Sequence, residues 1–173
     1  MSLAEKQSFD MDSQAEPVSK DLFRAIMRRV AASVTVISAE HEGTLYGMTA
    51  TAFSSVCADP PTVLIVVNKS TRSHPGISES GFFTVNILGA DQQHLANRFG
   101  AKESEPYKGV DYTMGKAGPV LSASTAHLAC KTILSYEVGT HTIFIATVID
   151  GSVADCLPLI YHDGSYKAIQ AIP

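Results

Sequence analysis

No apolar stretch in this chain is long enough for anything but a short strand. The longest uninterrupted runs, residues 63–67 and 143–146, fall far short of the ~20 apolar residues that a membrane-spanning helix needs. Around them lie about eight segments rich in Val, Ile, Thr, Phe and Tyr, bounded by turn residues, which is the pattern of β-strands. They fall at 34–38, 45–56, 62–67, 82–88, 129–138, 142–153, 159–161 and 166–169. Helical signals are few. Ser19 is placed to cap a helix reaching residue 32, with Leu22, Phe23, Ile26, Met27 and Val30 as its apolar stripe. Ser73 and Pro75 suit the start of a short helix. Asp91 suits the cap of another that runs to Phe99 and stops at Gly100. Strands that do not alternate strictly with helices argue against a doubly wound sheet. The expectation is a mainly β, antiparallel protein with a few short helices, closed into a barrel because closure removes exposed edges.

The 173 residues suit one domain, expected over 19–173, with the mixed, acidic residues 1–18 as a mobile tail. Hydrophobic residues make up 45% of the chain and charged residues 17%. This excludes intrinsic disorder, which needs the reverse balance, and hints that a partner subunit covers some surface. A net charge of −4 leaves no broad basic field for nucleic acid or anionic lipid. Residues 1–19 hold no apolar signal segment. Cys57, Cys130 and Cys156 show no paired spacing. They read as buried thiols in a reducing cytoplasm rather than disulfides or metal ligands.

The chemistry-bearing residues are equally restrictive. No glycine-rich dinucleotide or P-loop fingerprint, histidine pair or nucleophile elbow occurs. Instead, the strand at 62–67 runs into Asn68-Lys69-Ser70-Thr71-Arg72-Ser73. Two cations, several hydroxyls and the free N–H groups of a helix start make a phosphate cradle, although a polar surface turn has the same composition. Gly47 to Ser55 is built of small and hydroxyl residues. Such a strand lets a flat ring approach the backbone, or lets two layers pack closely. His141 follows Gly139-Thr140 in a hairpin between two late strands, where a histidine is either functional or simply exposed.

In this order the segments resemble the flavin reductase-like family, the short NAD(P)H:flavin reductases of two-component monooxygenases. The resemblance runs from Phe23-Arg24-Ala25-Ile26-Met27-Arg28-Arg29 and Val34-Thr35-Val36-Ile37 through Gly47-Met48-Thr49-Ala50-Thr51-Ala52-Phe53-Ser54-Ser55-Val56 and Asp59-Pro60-Pro61. It continues through Asn68-Lys69-Ser70, Ser80-Gly81-Phe82-Phe83-Thr84-Val85-Asn86-Ile87-Leu88 and residues 92–99. It ends at Gly139-Thr140-His141 and Tyr161-His162-Asp163-Gly164-Ser165-Tyr166.

The resemblance implies a Greek-key split β-barrel that dimerises and binds FMN or FAD near the subunit interface, with NADH or NADPH as hydride donor. It implies that Thr49, Ala50 and Thr51 line the flavin ring, with Ser54, Ser55 and Val56 nearby. Asn68, Lys69, Ser70 and Ser73 would hold the ribityl-phosphate arm, and Phe99 and Tyr166 would pack close by. His141 would border the nicotinamide as the catalytic residue. No metal is implied. Many members carry Asp where Thr140 stands here, so the charge on His141 is not set by an adjacent carboxylate. Two further readings keep the barrel: a pyridoxamine-phosphate oxidase-like enzyme, and a non-enzymatic flavin- or haem-binding carrier or sensor.

Overall fold

The computed structural model describes residues 16–102, 105–170 and 172. The expected tail at 1–18 therefore lies almost wholly outside the described residues.

Twelve strands and three helices follow in order. Helix α1 (Lys20–Met27) precedes strands β1 (Ala32–Ser33), β2 (Thr35–His41), β3 (Thr44–Ala50), β4 (Phe53–Ala58) and β5 (Pro61–Asn68). Helix α2 (Ser73–Ser80), strand β6 (Phe82–Ile87) and helix α3 (Gln93–Gly100) come next. Strands β7 (Tyr112–Gly115), β8 (Gly118–Leu121), β9 (Ala126–Val138), β10 (His141–Val153), β11 (Ile160–His162) and β12 (Ser165–Lys167) complete the chain. Every named ladder is antiparallel. The main sheet has seven strands in the order β3-β2-β6-β9-β10-β5-β4, beside a three-stranded and a two-stranded sheet.

The mainly β, antiparallel expectation holds, but no ladder among the described residues closes the main sheet. Instead, β3 at the sheet edge is bonded through side chains to the segments packed beside it. The Tyr107 hydroxyl donates to the Tyr46 carbonyl at 2.8 Å, and Thr49 Oγ1 donates to the Ala96 carbonyl of α3 at 2.7 Å. The Tyr107 hydroxyl thus satisfies one carbonyl of that edge, and Thr49 ties the strand to α3.

Strand β2 sits between two cores and is buried from Thr35 through Ala39. One core joins Ile37, Val63, Ile65, Val67, Ile77, Phe83, Val85 and Phe144 under α2. The other joins Val34, Val36, Leu88, Leu95, Phe99, Tyr107 and Leu121 under α3. Two-sided burial explains why β2 shows no apolar–polar alternation: Val36 faces one core, Ile37 and Ala39 the other. The buried Asn86 amide is fully used. Its Nδ2 donates to Val36 O, Ser38 Oγ and Pro119 O, and its Oδ1 accepts from Leu121 N.

Several local expectations need correction. The stretch expected as one strand at 45–56 is two: Phe53 N donates to Thr51 O at 3.0 Å and turns the chain between β3 and β4. Arg72, not Ser73, is the residue before α2, and Gln92, not Asp91, is the one before α3. Gln92 is buried because its amide holds Gly89 N and Ser122 O, a tertiary task that outweighs capping. Of the three thiols only Cys130 is buried; Cys57 lies on exposed β4 and Cys156 beyond β10.

Candidate functional site

Strand β5 delivers the chain to the start of α2, where the polar loop is tightly built. Asn68 Oδ1 accepts from both the N–H and the hydroxyl of Ser70, each at 2.9 Å. Thr71 Oγ1 donates to Asn68 O at 2.8 Å, and Lys69 N donates to Thr140 O at 2.9 Å. Asn68 and His141 are direct cross-strand partners. The loop at 68–73 and the hairpin carrying His141 are thus one rigid corner. No side chain caps α2, so the positive end of its dipole stays available to an anion, although His74 N donates to Thr71 O and Pro75 carries no N–H.

A cleft of about 740 Å³ opens beside this corner, within the ~300–1,000 Å³ usual for small-molecule sites. Ser70, Thr71, Arg72, Ser73 and Lys102 give it polar lining, and Leu45, Tyr46, Gly47, Met48, Thr49 and Phe99 are among its other walls. Gly47 is required where it stands, because a Cβ there would lie 2.5 Å from the Phe99 ring. Arg98 does not enter this cleft. Its guanidinium donates to the carbonyls of Pro106 and Lys108 and so holds the segment that carries Tyr107.

Four residues expected at the site, Thr49, Ser70, Ser73 and Phe99, line this cleft. A second group meets on the outward face of the sheet. Three cross-strand rows run Asn68–His141–Val138, Val66–Ile143–Tyr136 and Leu64–Ile145–Leu134, the last extended by Ser54 of β4. Directly opposed residues share a face, so Ser54, Asn68 and His141 border one apolar surface. Outward faces of antiparallel sheets are commonly polar; here Leu134, Tyr136 and Val138 are about half exposed. His141 Nδ1 lies 2.9 Å from Thr140 Oγ1.

The remaining expected residues lie elsewhere. Ala50 packs against the core under α2, and Thr51 sits in the exposed turn after β3. Ser55 and Val56 are exposed on β4 beside a bulge in its ladder. Tyr166 stacks edge-on against Tyr161 at 5.5 Å in the small sheet and packs on the α3-side core; it does not line the cleft. Lys69 is also not among the lining residues, and its ammonium pairs with Glu137 at 3.3 Å. Sequence reasoning missed Lys102 and the Tyr46 wall as site residues. Arg72 was legible as the second cation of its loop, whereas Lys102 and Tyr46 reach the cleft only through the packing of α3 on β3.

A cationic, hydroxyl-rich helix start beside an aromatic wall is the chemistry of a site for a flat ligand bearing phosphate. The chain belongs to the flavin reductase like domain family, whose model matches residues 27–170. It is 35% identical over 151 residues to the reductase component of a 4-nitrophenol 4-monooxygenase/4-nitrocatechol 2-monooxygenase from Rhodococcus opacus, covering 87% of this chain and 82% of that protein. It is 40% identical over 136 residues to the FMN reductase (NADH) RutF of Pseudomonas syringae, covering 77% and 76%. Among solved structures, the NADH:FAD oxidoreductase SgcE6 of Streptomyces globisporus, in complex with NAD and FAD fragments, superposes with a TM-score of 0.83 at 29% identity. The match covers 90% of this chain and 98% of that one.

Proposed function

We propose that this protein is an NADH-dependent flavin reductase that supplies reduced flavin to a partner monooxygenase. The observation that carries the reading is the cleft itself: the uncapped start of α2 with Ser70, Arg72 and Ser73 on one side, and the Phe99 wall on the other. The donor set fits a flavin nucleotide, FMN or FAD, since hydroxyls and cations gathered at the positive end of a helix suit its phosphate. Tyr46, Met48 and Phe99 suit its ring. Bound flavin would supply the hydride-accepting centre, with NADH as donor.

The chain's own part is positional. Asn68 fixes Ser70, and Thr140 fixes both Lys69 N and His141, which holds the phosphate loop and the His141 ring in constant relation. Holding reactants in a productive geometry is worth several kcal/mol, and this accounts for a site without a side-chain acid–base dyad. We place His141 at the nicotinamide side and Asn68, Lys69, Ser70 and Ser73 at the phosphate arm.

The same reading makes the functional unit a homodimer with a split barrel in each subunit. Its support is the apolar outward face around Tyr136, which borders Ser54, Asn68 and His141. Among the described residues no helix is long and apolar enough to cross a membrane. The three free cysteines support a reducing, cytoplasmic location.

Loss of NADH absorbance with FMN, FAD or riboflavin tests the function. The expected result is NADH consumption that depends on added flavin. No consumption with any of the three, by protein shown to be folded, overturns the reading.

A further inference from the structure

Lys69 is one of two cations in the loop at 68–73, yet its charge is already engaged. Its Nζ lies 3.3 Å from Glu137 Oε2, across 68 residues of sequence. The register explains the meeting: Thr142 of β10 pairs with Val67 on one side and with Glu137 of β9 on the other. The Lys69 backbone is pinned through Thr140 O, so its side chain swings from a fixed stem. Side-chain exposure is 37% for Lys69 and 75% for Glu137, and pairs this open to water hold weakly and change partners readily.

We propose that Glu137 is a specificity-determining residue of the flavin site, competing with flavin phosphate for Lys69. The inference rests on the flavin reductase reading above. A phosphate that recruits Lys69 must displace the carboxylate, which then remains nearby as a like charge. Riboflavin, lacking phosphate, meets neither cost. Glu137 therefore narrows the preference for phosphorylated over free flavin. It also loosens the grip on the phosphate, which suits a reductase that must release its product to another enzyme.

Glu137→Gln removes the charge and keeps the shape. Dissociation constants for FMN and riboflavin, read from flavin fluorescence, are compared at about 20 mM and about 300 mM NaCl, conditions that differ strongly in screening. In the variant FMN binds about two- to five-fold more tightly at low salt, as loss of an exposed pair allows. The gain shrinks at high salt, riboflavin affinity is unchanged, and the gain disappears in a Lys69→Ala background. The proposal is overturned by an unchanged or weaker FMN affinity at low salt, by an equal change for riboflavin, or by a gain that survives without Lys69. A fall in Tm with no difference between the two flavins assigns Glu137 to structure alone and also overturns it. Wild-type protein that binds neither flavin overturns the flavin reductase reading itself. That outcome is distinct from wild type binding both while Glu137→Gln matches it.

Discussion

Gly47→Ala tests whether the aromatic wall of the cleft is set by one missing methyl group. A Cβ at this position would lie 2.5 Å from Phe99 Cε1, 2.6 Å from Cδ1 and 2.8 Å from the Tyr107 hydroxyl. Ordinary carbon contacts need ~3.5–4.0 Å, so the Phe99 ring must recede by about 1 Å. It has little room: Phe99 is 3% exposed and meets Tyr107 edge-on with ring centroids 5.0 Å apart. Overpacking of this kind costs about 1–3 kcal/mol. Displacing Tyr107 also strains its bond to Tyr46 O, worth about 1 kcal/mol. The expected loss is about 2–4 kcal/mol, or roughly 5–15 °C in Tm for a domain this size. Circular dichroism melts of wild type and variant measure it. In a Phe99→Leu background, where the blocking ring is gone, the same substitution should cost at least ~1 kcal/mol less, because the two positions are in contact. Without the clash, alanine for glycine would stabilise by about 0.4–1 kcal/mol through the unfolded chain. An unchanged or raised Tm for Gly47→Ala would therefore refute the reasoning.

Other perturbations separate the remaining roles. His141→Ala should slow flavin reduction by saturating NADH in single turnover by on the order of 100-fold, with FMN affinity within about two-fold; equal rates would remove His141 from the site. Tyr136→Glu places a charge at the centre of the apolar outward face and should convert a dimer into a monomer by light scattering, while a wild-type monomer with full activity would refute the assembly. Burial pushes the Cys130 thiol up to about 12, so it stays protonated and enclosed at neutral pH. Cys130 should react with a thiol reagent only on unfolding, and rapid reaction in the native protein would contradict its placement.

What was legible in the sequence follows the range of each interaction. The β2–β3 hairpin, β5 and the start of α1 could be read because their apolar spacing and turn residues are local; Ser19 Oγ does accept from Leu22 N, although α1 ends at Met27 rather than at residue 32. The break between β3 and β4 was invisible, since Ala50, Thr51 and Ala52 carry no periodic signal. The β7–β8 hairpin was also hidden, lying between segments with a clear strand or helix pattern, because Asn86 recruits it through side-chain bonds from across the core. The phosphate loop stood out because its cations and hydroxyls are contiguous. The Lys69 partner did not, because strand order alone brings Glu137 to it. The outward apolar face emerged only once the register aligned three strands.

The two edges of the main sheet are treated unequally. One, β3, is bonded by Tyr107, on a segment that Arg98 ties down; the other, β4, has β5 as its sole strand neighbour among the described residues. Chains with two open edges can polymerise without limit, whereas a single open edge can be extended once and is then consumed. By holding the Tyr46 carbonyl, the tyrosine at position 107 is expected to act as a chain terminator for sheet growth. Its removal is expected to show first as turbidity on storage.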